Sequence, residues 1–580
     1  MLSALNKKWI FSEPPSERVD RLKKDLDIST FLAELLVNRK IDDPEEARYF
    51  LSAELDSAHD PFLMCGMDVA VQRIVQAIRN RETITVYGDY DVDGVTSAAL
   101  MVHFFRELGA PFDYYLPNRM EEGYGLNEKA LDSIKSRGST LVITADTGVT
   151  AIDQVDYANH IGVDVIVTDH HQLAEEGLPK ALAVLNPHRP DCVYPFKFLS
   201  GVGIVFKLAA GIRRGLLEAG WDPEKLPNLK KHLDLFTLGT IADMAPLVGE
   251  NHVLTSHGLE TVRRSAKPGL IALKAIAGIE GKVDSAAIGF GLGPRLNAAG
   301  RLGKPDKGLR LLVASDLNEA MAMAQSLDAM NEERKKTQQG CFEEAEYLLE
   351  RQVDLDEDKI IVLASENFHQ GVIGIVASKL AEKFYRPAIL IAVEDGVGKG
   401  SARSIPAFNL VKALNHCSDH LIQFGGHAYA AGLNIEDHRI DEFRKQINQV
   451  GRQYLTEEGM VPEVNIDGTL EMRNITEELF RDMQTLEPFG QMNKVPVFFS
   501  RGIRARDVRF VGREEKHVRF TAYQENHSLK VIGFNLAHAF KTLDSSEPID
   551  VVYQLHRNNW NGRESLELKL LDVRSSHPED

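Results

Sequence analysis

Residues 83–95 read TITVYGDYDVDGV, an apolar and β-branched run followed at once by three alternating carboxylates, Asp89, Asp91 and Asp93. The β-branched run predicts a buried strand, and the residues after Asp93 follow a helical pattern. In an open α/β sheet, ligands bind outside the carboxyl ends of the strands. The stretch therefore predicts a metal site in an α/β fold.

The same string matches the start of an EF-hand calcium loop, which has acids at positions one, three and five and glycine at six. Counting from Asp89 places Leu100 at position twelve, where that loop needs a bidentate glutamate. The preceding segment also alternates like a strand instead of a helix. An EF-hand is therefore excluded, and an ordinary Asp- and Gly-rich turn is the remaining alternative.

Two further predicted strands are followed directly by carboxylate or imidazole side chains. Leu141–Thr144 leads into ADTG at 145–148, and Val163–Thr168 leads into DHH at 169–171. A lone histidine is more often a satisfied core or surface residue than a ligand, but a DHH triplet at a strand end favours a functional role. Because the carboxyl ends of parallel strands meet at one edge, we expect these groups to converge in one crevice.

A fourth acid, Asp243, stands in LGTIADMAPL after an apolar run. Alone it would be weak evidence, because Asp before a proline is ordinary, but together the acids and histidines exceed what one metal ion needs. Two divalent ions about 3.5–4 Å apart can activate a water and clamp both oxygens of an in-line phosphoryl displacement. Carboxylates with one or two imidazoles suit Mn²⁺ or Mg²⁺ better than zinc or copper.

These motifs resemble those of a known family. DYDVDG, ADTGV, VTDHH and the Asp of TIADM are similar to the four motifs of the DHH phosphoesterases, and GGHAYAAG at 425–432 is similar to the signature of their companion DHHA1 domain. The chain resembles the RecJ-type single-strand-specific exonucleases over nearly its whole length. Further similar segments are LPNRMEEGYG (116–125), GPRLNAAGRL (293–302) and GKGSARS (398–404).

The resemblance implies a set of metal ligands: Asp89, Asp91, Asp93, Asp146, His170 and Asp243. Asp146 would bridge the two ions. Many DHH phosphoesterases have a histidine where this chain has Tyr87, and Asp89 would compensate for it at the first site. His171 would bind or polarise a substrate phosphate, and Asp169 would orient a histidine.

The resemblance also implies substrate contacts. The terminal 5′ phosphate would be held by Arg119, Ser401 and Arg403. The phosphates around the scissile bond would be held by Arg295, Arg301 and His427, and the same substrate-binding set includes Asn297, Gly425 and Gly426. Independently of the resemblance, glycine-rich turns beside serine, arginine and histidine let backbone amides and a guanidinium approach phosphate oxygens.

Composition narrows the class of protein. The 580 residues, 43% of them hydrophobic, suffice for three or four soluble domains. No apolar run approaches the length of a membrane helix and the N-terminus lacks a secretory h-region, which predicts a cytoplasmic protein that does not engage a membrane. The four cysteines lack CxxC spacing, which predicts reduced thiols.

The charge is acidic overall but basic in two places. A balance of 67 basic and 85 acidic residues gives −18, which argues against nonspecific coating of nucleic acid. Basic residues cluster within 292–310 and 496–530. These clusters predict a focused path for a polyanion, with a solvated mixed-charge face as the alternative.

The order of the patterns predicts an α/β architecture in five regions. They are N-terminal helices at 1–75, a doubly wound parallel-sheet DHH domain at 76–310, a connecting long helix at 311–354, a smaller α/β DHHA1 domain at 355–458 and an OB-like β-barrel at 462–575. Within the connecting region, the unbroken run from Leu317 to Gln352 predicts one helix of about nine turns.

We expect an exonuclease that hydrolyses single-stranded DNA to mononucleotides in DNA repair and recombination. The 5′-to-3′ direction, a monomeric state, and single-strand-binding protein and a RecQ-like helicase as partners are implied only by the resemblance. A hydrolase of very short oligonucleotides or cyclic dinucleotides is a second hypothesis, which the β-rich region 462–575 disfavours. A noncatalytic DNA-binding scaffold is a third, which the intact acids disfavour.

Overall fold

The computed structural model of the chain describes residues 2–118, 122–123, 125–174, 176–304, 306–544, 547–560 and 563–576. The chain divides into two compact units. The first unit comprises Asp43–Glu333 with Leu486–Lys494, and the second comprises Met1–Asp42, Arg334–Thr485 and Val495–Asp580.

The N-terminal region is mainly helical but begins with a strand. Its elements are β1 (Lys8–Phe11), α1 (Ser16–Leu26), α2 (Thr30–Asn38), α3 (Pro44–Ser52) and α4 (Met67–Asn80). The segment PEEARYFL, which has the pattern of a helix start, lies in α3. Strand β1 pairs in parallel with Glu463–Ile466. The prediction of helices alone in this region is wrong at β1, because its pairing partner lies far along the chain.

A parallel sheet with helices on both faces forms the centre of the first unit. Its elements are β2 (Thr83–Gly88), α5 (Val92–Leu108), β3 (Phe112–Tyr115), α6 (Glu128–Ser136), β4 (Ser139–Ala145), α7 (Ile152–His160), β5 (Asp164–Thr168) and β6 (Ala183–Leu185). The strand order is β3-β2-β4-β5-β6, and every pairing is parallel. The predicted doubly wound α/β fold is confirmed.

Alternate side chains of these strands enter two separate cores. Ile84, Val86 and Ile143 are fully buried in the core that includes residues of α4, α5 and the helix Gly201–Glu218. Val142 and Val165 are fully buried on the opposite face with residues of α6 and α7. Because both faces are covered, the carboxyl ends of the strands are the place where side chains of this sheet can meet a ligand.

Helices complete the first unit. They are α8 (Gly201–Glu218), α9 (Leu233–Ala242), α10 (Gly249–Arg264), α11 (Pro268–Ile276), α12 (Gly293–Arg301) and α13 (Asp306–Leu312). A π-helical segment, Ala287–Leu292, runs directly into α12. Helix α14 (Leu317–Gln352) then continues for 36 residues, as the unbroken run predicts.

The second unit contains a mixed sheet in the order β10-β11-β9-β8-β7. Its elements are β7 (Ile361–Ser365), α15 (Ile373–Phe384), β8 (Ala388–Glu394), β9 (Val397–Arg403), α16 (Leu410–Asn415), β10 (Gln423–Gly426), β11 (Ala430–Glu436) and α17 (Ile440–Tyr454). Strands β7 and β8 are parallel and the other pairs are antiparallel. This is the predicted second, smaller α/β domain.

The second unit also contains a β-barrel. Its elements are β12 (Glu463–Ile466), β13 (Gly468–Thr469), α18 (Glu477–Gln484), β14 (Phe498–Val511), β15 (His517–Gln524), β16 (His527–Gly533), α19 (Ala537–Lys541), β17 (Ile549–Trp560) and β18 (Arg563–Ser575). Pairing of β14 with β17 closes the sheet, which confirms the predicted barrel. The sequence pattern favours two separate strands at Val495–Phe499 and Val508–Val511, which is wrong, because Phe498–Val511 forms the single strand β14. A register shift between Arg506 and Arg509 interrupts its alternation.

The structure bears on two predictions from composition. Within the described residues, every helix is too short or too polar to cross a bilayer. Cys65, Cys192, Cys341 and Cys417 all have free thiols, as the absence of paired spacing predicts.

Candidate metal centre and phosphate sites

The loops after β2, β4 and β5, with the end of α9, bring the predicted acids and histidines together. These residues form three groups, and within each group the possible ligand atoms lie within 4.8 Å of one another. The groups are Asp89, Asp91 and Asp146; Asp93, His170 and Asp243; and Asp146, His170 and His171. Asp146 and His170 each belong to two groups, which is the arrangement that two ions sharing ligands require. We call these seven residues the acid cluster.

The turn between β2 and α5 is tight. The side chain of Asp91 caps α5 by accepting a hydrogen bond from the amide of Gly94 at 3.1 Å. A Cβ at Gly94 would lie 2.6 Å from backbone atoms of Asp89, so only glycine fits there. Gly94 therefore permits the tight turn that brings the alternating acids close together.

Asp93 is buried against the start of α8. Its Oδ2 accepts a hydrogen bond from the amide of Gly201 at 2.6 Å, and its Oδ1 accepts one from the amide of Val202 at 2.8 Å. A helix N-terminus favours such a negative charge. Burial, followed by the charge of Asp91, nevertheless raises the pKa of Asp93 to about 7.

Asp146 lies at the centre of the cluster in a left-handed conformation, with φ of 68°. Its Oδ1 is buried 3.2 Å from Nε2 of His170 and accepts no hydrogen bond from the described residues. Burial and the carboxylates of Asp93, Asp91, Asp243 and Asp89 raise its pKa well above the usual range. A buried oxygen facing several like charges fits a bound divalent cation, which supplies the missing positive charge.

His170 extends its Nε2 into the cluster. This atom lies 3.9 Å from Oδ2 of Asp93 and 3.8 Å from Oδ2 of Asp243. The ring therefore bridges the acid of α5 and the acid that follows α9, as a shared ligand would.

His171 is held by the preceding aspartate. Its Nδ1 lies 2.7 Å from Oδ1 of Asp169, whose Oδ2 accepts a hydrogen bond from the amide of Val149 at 2.8 Å. Burial opposes the charge on both side chains, but their contact outweighs it, so the pKa of Asp169 is lowered and that of His171 is raised to about 9. Asp169 thus stands where the predicted orienting role requires it.

Asp243 reaches the cluster from the end of a helix. It caps the apolar helix α9, and the next residue, Met244, turns the chain with φ of 60°. A Cβ at Gly239 would lie 3.0 Å from Oδ1 of Asp93, so α9 passes directly beside the cluster. Burial and the charges of Asp93 and Asp91 raise the pKa of Asp243 well above its usual value.

Tyr87 does not take the place of a histidine ligand. Its hydroxyl donates a hydrogen bond to the carbonyl of Gly125 at 2.9 Å, and its ring stacks on Tyr115 at 5.3 Å between centroids. Asp89, by contrast, lies in the ligand group with Asp91 and Asp146. This agrees with the expectation that Asp89 compensates at the first site.

Helix α12 supports the start of α5 beside the acid cluster, a role that the sequence did not predict. The Asn297 amide oxygen accepts a hydrogen bond from the amide of Val92 at 3.2 Å. The guanidinium of Arg295 bonds Asp328 at 2.8 Å and the carbonyl of Gly291 at 2.7 Å. These two side chains are therefore engaged within the first unit, while Arg301, the last residue of α12, is partly exposed.

Close packing also explains roles that sequence reasoning missed. A Cβ at Gly201 would lie 2.5 Å from the side chain of Asp146, and one at Gly300 would lie 2.7 Å from the carbonyl of Tyr90. The signal for Gly201 is the sequence Ser200-Gly201-Val202-Gly203, a serine cap followed by two glycines at a helix start. Only the fold shows that this helix start faces Asp93.

In the second unit, β9 and α15 place Ser401 and Arg403 together. Nη1 of Arg403 lies 3.3 Å from Oγ of Ser401. A Cβ at Gly374, in the first turn of α15, would lie 2.9 Å from that Oγ and 3.2 Å from Nη2 of Arg403. A hydroxyl, a guanidinium and a helix N-terminus therefore meet at one place, which suits a phosphate group.

The FGGH turn presents the third predicted phosphate contact of this unit. Gly426 has φ of 141°, and a Cβ there would lie 2.3 Å from the carbonyl of Ala430. The amide of His427 donates to the same carbonyl at 2.8 Å, and the His427 side chain is exposed. Gly425 lies next to this turn in open space. Arg119 lies outside the described residues.

Comparison with known proteins supports the same interpretation. "DHH family, N-terminal domain" matches residues 83–240, "DHHA1 domain" matches 357–453 and "RecJ OB domain" matches 466–572. The Single-stranded-DNA-specific exonuclease RecJ of Bacillus subtilis is 40% identical over 569 residues, covering 98% of this chain and 70% of its own. The chain belongs to the RecJ family.

Crystal structures of RecJ from Thermus thermophilus agree with this membership. The complex with Mn²⁺ has a TM-score of 0.83 at 29% identity, covering 98% of this chain and 80% of that one. The complex with Mg²⁺ has a TM-score of 0.78 at 29% identity, with coverage of 98% and 79%. The predicted enzyme class, a metal-dependent hydrolase, is confirmed for this RecJ-family chain, and so is the prediction of Mn²⁺ or Mg²⁺ as cofactor.

Proposed function

We propose that this RecJ-family protein is a single-stranded-DNA-specific exonuclease that works from the 5′ end and releases mononucleotides with two divalent cations. The observation that carries the proposal is the acid cluster, in which three ligand groups overlap at Asp146 and His170. The shared name of the relatives, Single-stranded-DNA-specific exonuclease, supports the choice of substrate.

The chain's own residues would prepare the site before substrate arrives. Asp89, Asp91, Asp93, Asp146, His170 and Asp243 would hold the cations. Divalent cations supply a Lewis acid and an activated water for in-line attack at phosphorus. The amides of α8 fix both oxygens of Asp93, and Asp169 fixes the ring of His171. With its pKa raised to about 9, His171 would hold a proton near neutral pH and donate a hydrogen bond to a phosphate oxygen.

The second α/β domain would hold the end of the strand. Ser401, Arg403 and the N-terminal turn of α15 would bind the terminal 5′ phosphate, together with Arg119. His427 and the adjacent glycines would contact phosphates near the scissile bond, as would Arg301. Arg295 and Asn297 would act by supporting α12 and α5, because their polar atoms already bond within the first unit.

The barrel would bind the strand beyond the site of cleavage. Arg506 lies over the ring of Tyr523 at 4.9 Å, and Arg509 is paired across the strands with Arg519. Like charges directly opposite each other destabilise a sheet unless an anion lies between them. Cations beside an aromatic face suit phosphates and unpaired bases. Phe520 on β15 is buried at 4% exposure and belongs to the core, so it is not one of these contacts.

The decisive experiment is Mn²⁺-dependent digestion of single strands labelled at the 5′ or the 3′ end. Release of labelled mononucleotide first from 5′-labelled strands is expected, with none from Asp146→Ala and full activity from Asp153→Ala, an exposed acid on α7. First release from the 3′ label would contradict the direction. Strand binding without cleavage would instead favour a noncatalytic scaffold.

A second comparison separates this function from hydrolysis of very short substrates. The proposed enzyme turns over a long single strand faster than a dinucleotide and faster than a blunt duplex. Equal or faster turnover of the dinucleotide would favour the short-substrate hydrolase. The proposal further places the protein in the cytoplasm, as a monomer in DNA repair and recombination, with single-strand-binding protein and a RecQ-like helicase as partners.

A further inference from the structure

Phe290 is the most exposed large apolar side chain among the described residues. It is 86% exposed and lies in the π-helical segment Ala287–Leu292. A π-helical turn is unfavourable in isolation and occurs frequently at functional sites. Exposing a phenylalanine there has no benefit for packing, because its ring contributes to no core.

Met244 is a second exposed apolar side chain, in a strained backbone conformation. It is 69% exposed and has φ of 60°. Residues other than glycine, asparagine and aspartate seldom adopt this left-handed conformation. This left-handed turn directly follows Asp243 and leaves the methionine side chain exposed.

Both residues adjoin the end of α9 that leads into Asp243. The π-helical segment packs against α9. A Cβ at Gly293, just after the segment, would lie 3.3 Å from Cβ of Ala242, the residue before Asp243. The segment that carries Phe290 therefore packs beside the end of α9, and Met244 directly follows Asp243 there.

We propose that Phe290 and Met244 form a stacking platform for one unpaired nucleobase of the strand beside the acid cluster. This inference rests on the proposed function and names the residues that would select an unpaired base at the site of cleavage. A base offers an aromatic face that stacks on phenylalanine and methionine, while a paired base hides its faces in the duplex. Both residues adjoin the end of α9 that leads into the acid cluster, so a base of the substrate is the occupant we propose.

The test compares variants on strands with one abasic position moved along the terminal nucleotides. Phe290→Ala is expected to lower kcat/KM on an intact strand by roughly 5- to 100-fold, the range for loss of one base stack. Phe290→Trp is expected to keep the activity. On the strand whose abasic position faces the platform, wild type and Phe290→Ala become equal, which a merely structural role would not produce.

Controls separate stacking from folding and from catalysis. Val193→Ala, 74% exposed in the same unit, keeps full activity on every strand. Melting temperature and its rise with Mn²⁺ are unchanged in Phe290→Ala. Met244→Gly relieves the backbone strain and raises the melting temperature, yet lowers kcat/KM in the same abasic-dependent manner as Phe290→Ala.

The outcomes distinguish this inference from the proposed function. Undiminished activity of Phe290→Ala, or an equal loss on every abasic strand, would overturn the stacking platform while leaving the exonuclease intact. A lowered melting temperature with loss on all strands would also overturn it, in favour of a packing role. Failure of the wild type to digest any strand would overturn the proposed function itself.

Discussion

At the scale of single residues, Asp146 is a buried carboxylate with several like charges around it. It is buried, its Oδ1 accepts no hydrogen bond within the described part of the chain, and carboxylates surround it. A carboxyl whose pKa is raised in the folded state is protonated there more readily than in the unfolded chain. Without cations, its contribution to stability therefore falls as pH rises above about 4.

Replacing this charge should stabilise the metal-free protein. Asp146→Asn is expected to raise the melting temperature in EDTA at neutral pH, by about 2–4 °C for each kcal/mol of repulsion that is relieved. The gain should grow as pH rises from 4 to 7, and added Mn²⁺ should no longer raise the melting temperature. Thermal denaturation with and without Mn²⁺ measures both effects, and Asp153→Asn serves as an exposed control. A lower melting temperature in EDTA would contradict the electrostatic account.

In the proposed function, recognition of the strand end would depend on Arg403. Wild type is expected to degrade 5′-phosphorylated strands faster than 5′-hydroxyl strands, because a charged phosphate takes charge-assisted hydrogen bonds. Arg403→Ala should remove about 1.5–3 kcal/mol of that discrimination, as measured by kcat/KM on the two substrates. Gly374→Ala should have a similar effect, since its Cβ would lie 2.9 Å from Oγ of Ser401. An undiminished preference for phosphate in Arg403→Ala would place the end of the strand elsewhere.

At the scale of elements, the start of α8 adjoins the acid cluster. Its first two amides bind Asp93, and Gly201 leaves room for Asp146. The start of α8 thus bonds Asp93 and packs closely against Asp146, two acids that follow different strands of the sheet. Gly201 has no ligand atom, but it would matter for metal binding because it leaves room for the Asp146 carboxylate.

Gly201→Ala tests that dependence. The added Cβ would lie 2.5 Å from Asp146, so the carboxylate must shift and Mn²⁺ affinity should fall about 10- to 100-fold, the range seen when supporting residues of a metal site are lost. Isothermal titration with Mn²⁺ measures the change. Gly340→Ala, in open space on α14, should keep the affinity and stabilise the helix by about 0.5–1 kcal/mol. Unchanged affinity in Gly201→Ala would contradict the role of α8.

Much of the element structure was predictable because its signals are local. β2 to β5 and α14 follow from runs of apolar residues and from strand ends marked by acids. Strand β1 was not predictable, because KWIF gains its strand conformation from a distant partner at Glu463–Ile466. The support of Val92 by Asn297 was equally hidden, because it depends on how α12 packs against the DYDVDG turn.

At the scale of the whole molecule, the net charge of −18 contrasts with the basic face of the barrel. Arg504, Arg506, Arg509 and Arg519 are exposed on β14 and β15. The sequence predicted this basic segment, but two strands were expected where β14 is continuous. The bend between Arg506 and Arg509 is a register shift that the pattern of residues does not reveal.

The barrel should matter for long strands only. Arg506→Ala is expected to raise KM for a long single strand about 5- to 10-fold, to reduce the salt dependence of binding by about 0.7 in the log–log slope and to leave dinucleotide turnover unchanged. Fluorescence anisotropy over a range of salt concentrations gives the slope. Arg351→Ala removes a similar exposed arginine from its Tyr347 ring on α14 and should change neither value. Equal effects of both variants would contradict a specific strand path on the barrel.

The proposed mechanism requires two divalent cations that share Asp146 within the acid cluster. Anomalous diffraction from crystals of the wild-type protein soaked in Mn²⁺ tests it most directly. Two anomalous peaks about 3.5–4 Å apart are expected, one on each side of the Asp146 carboxylate. A single peak, or peaks away from Asp146, would contradict it.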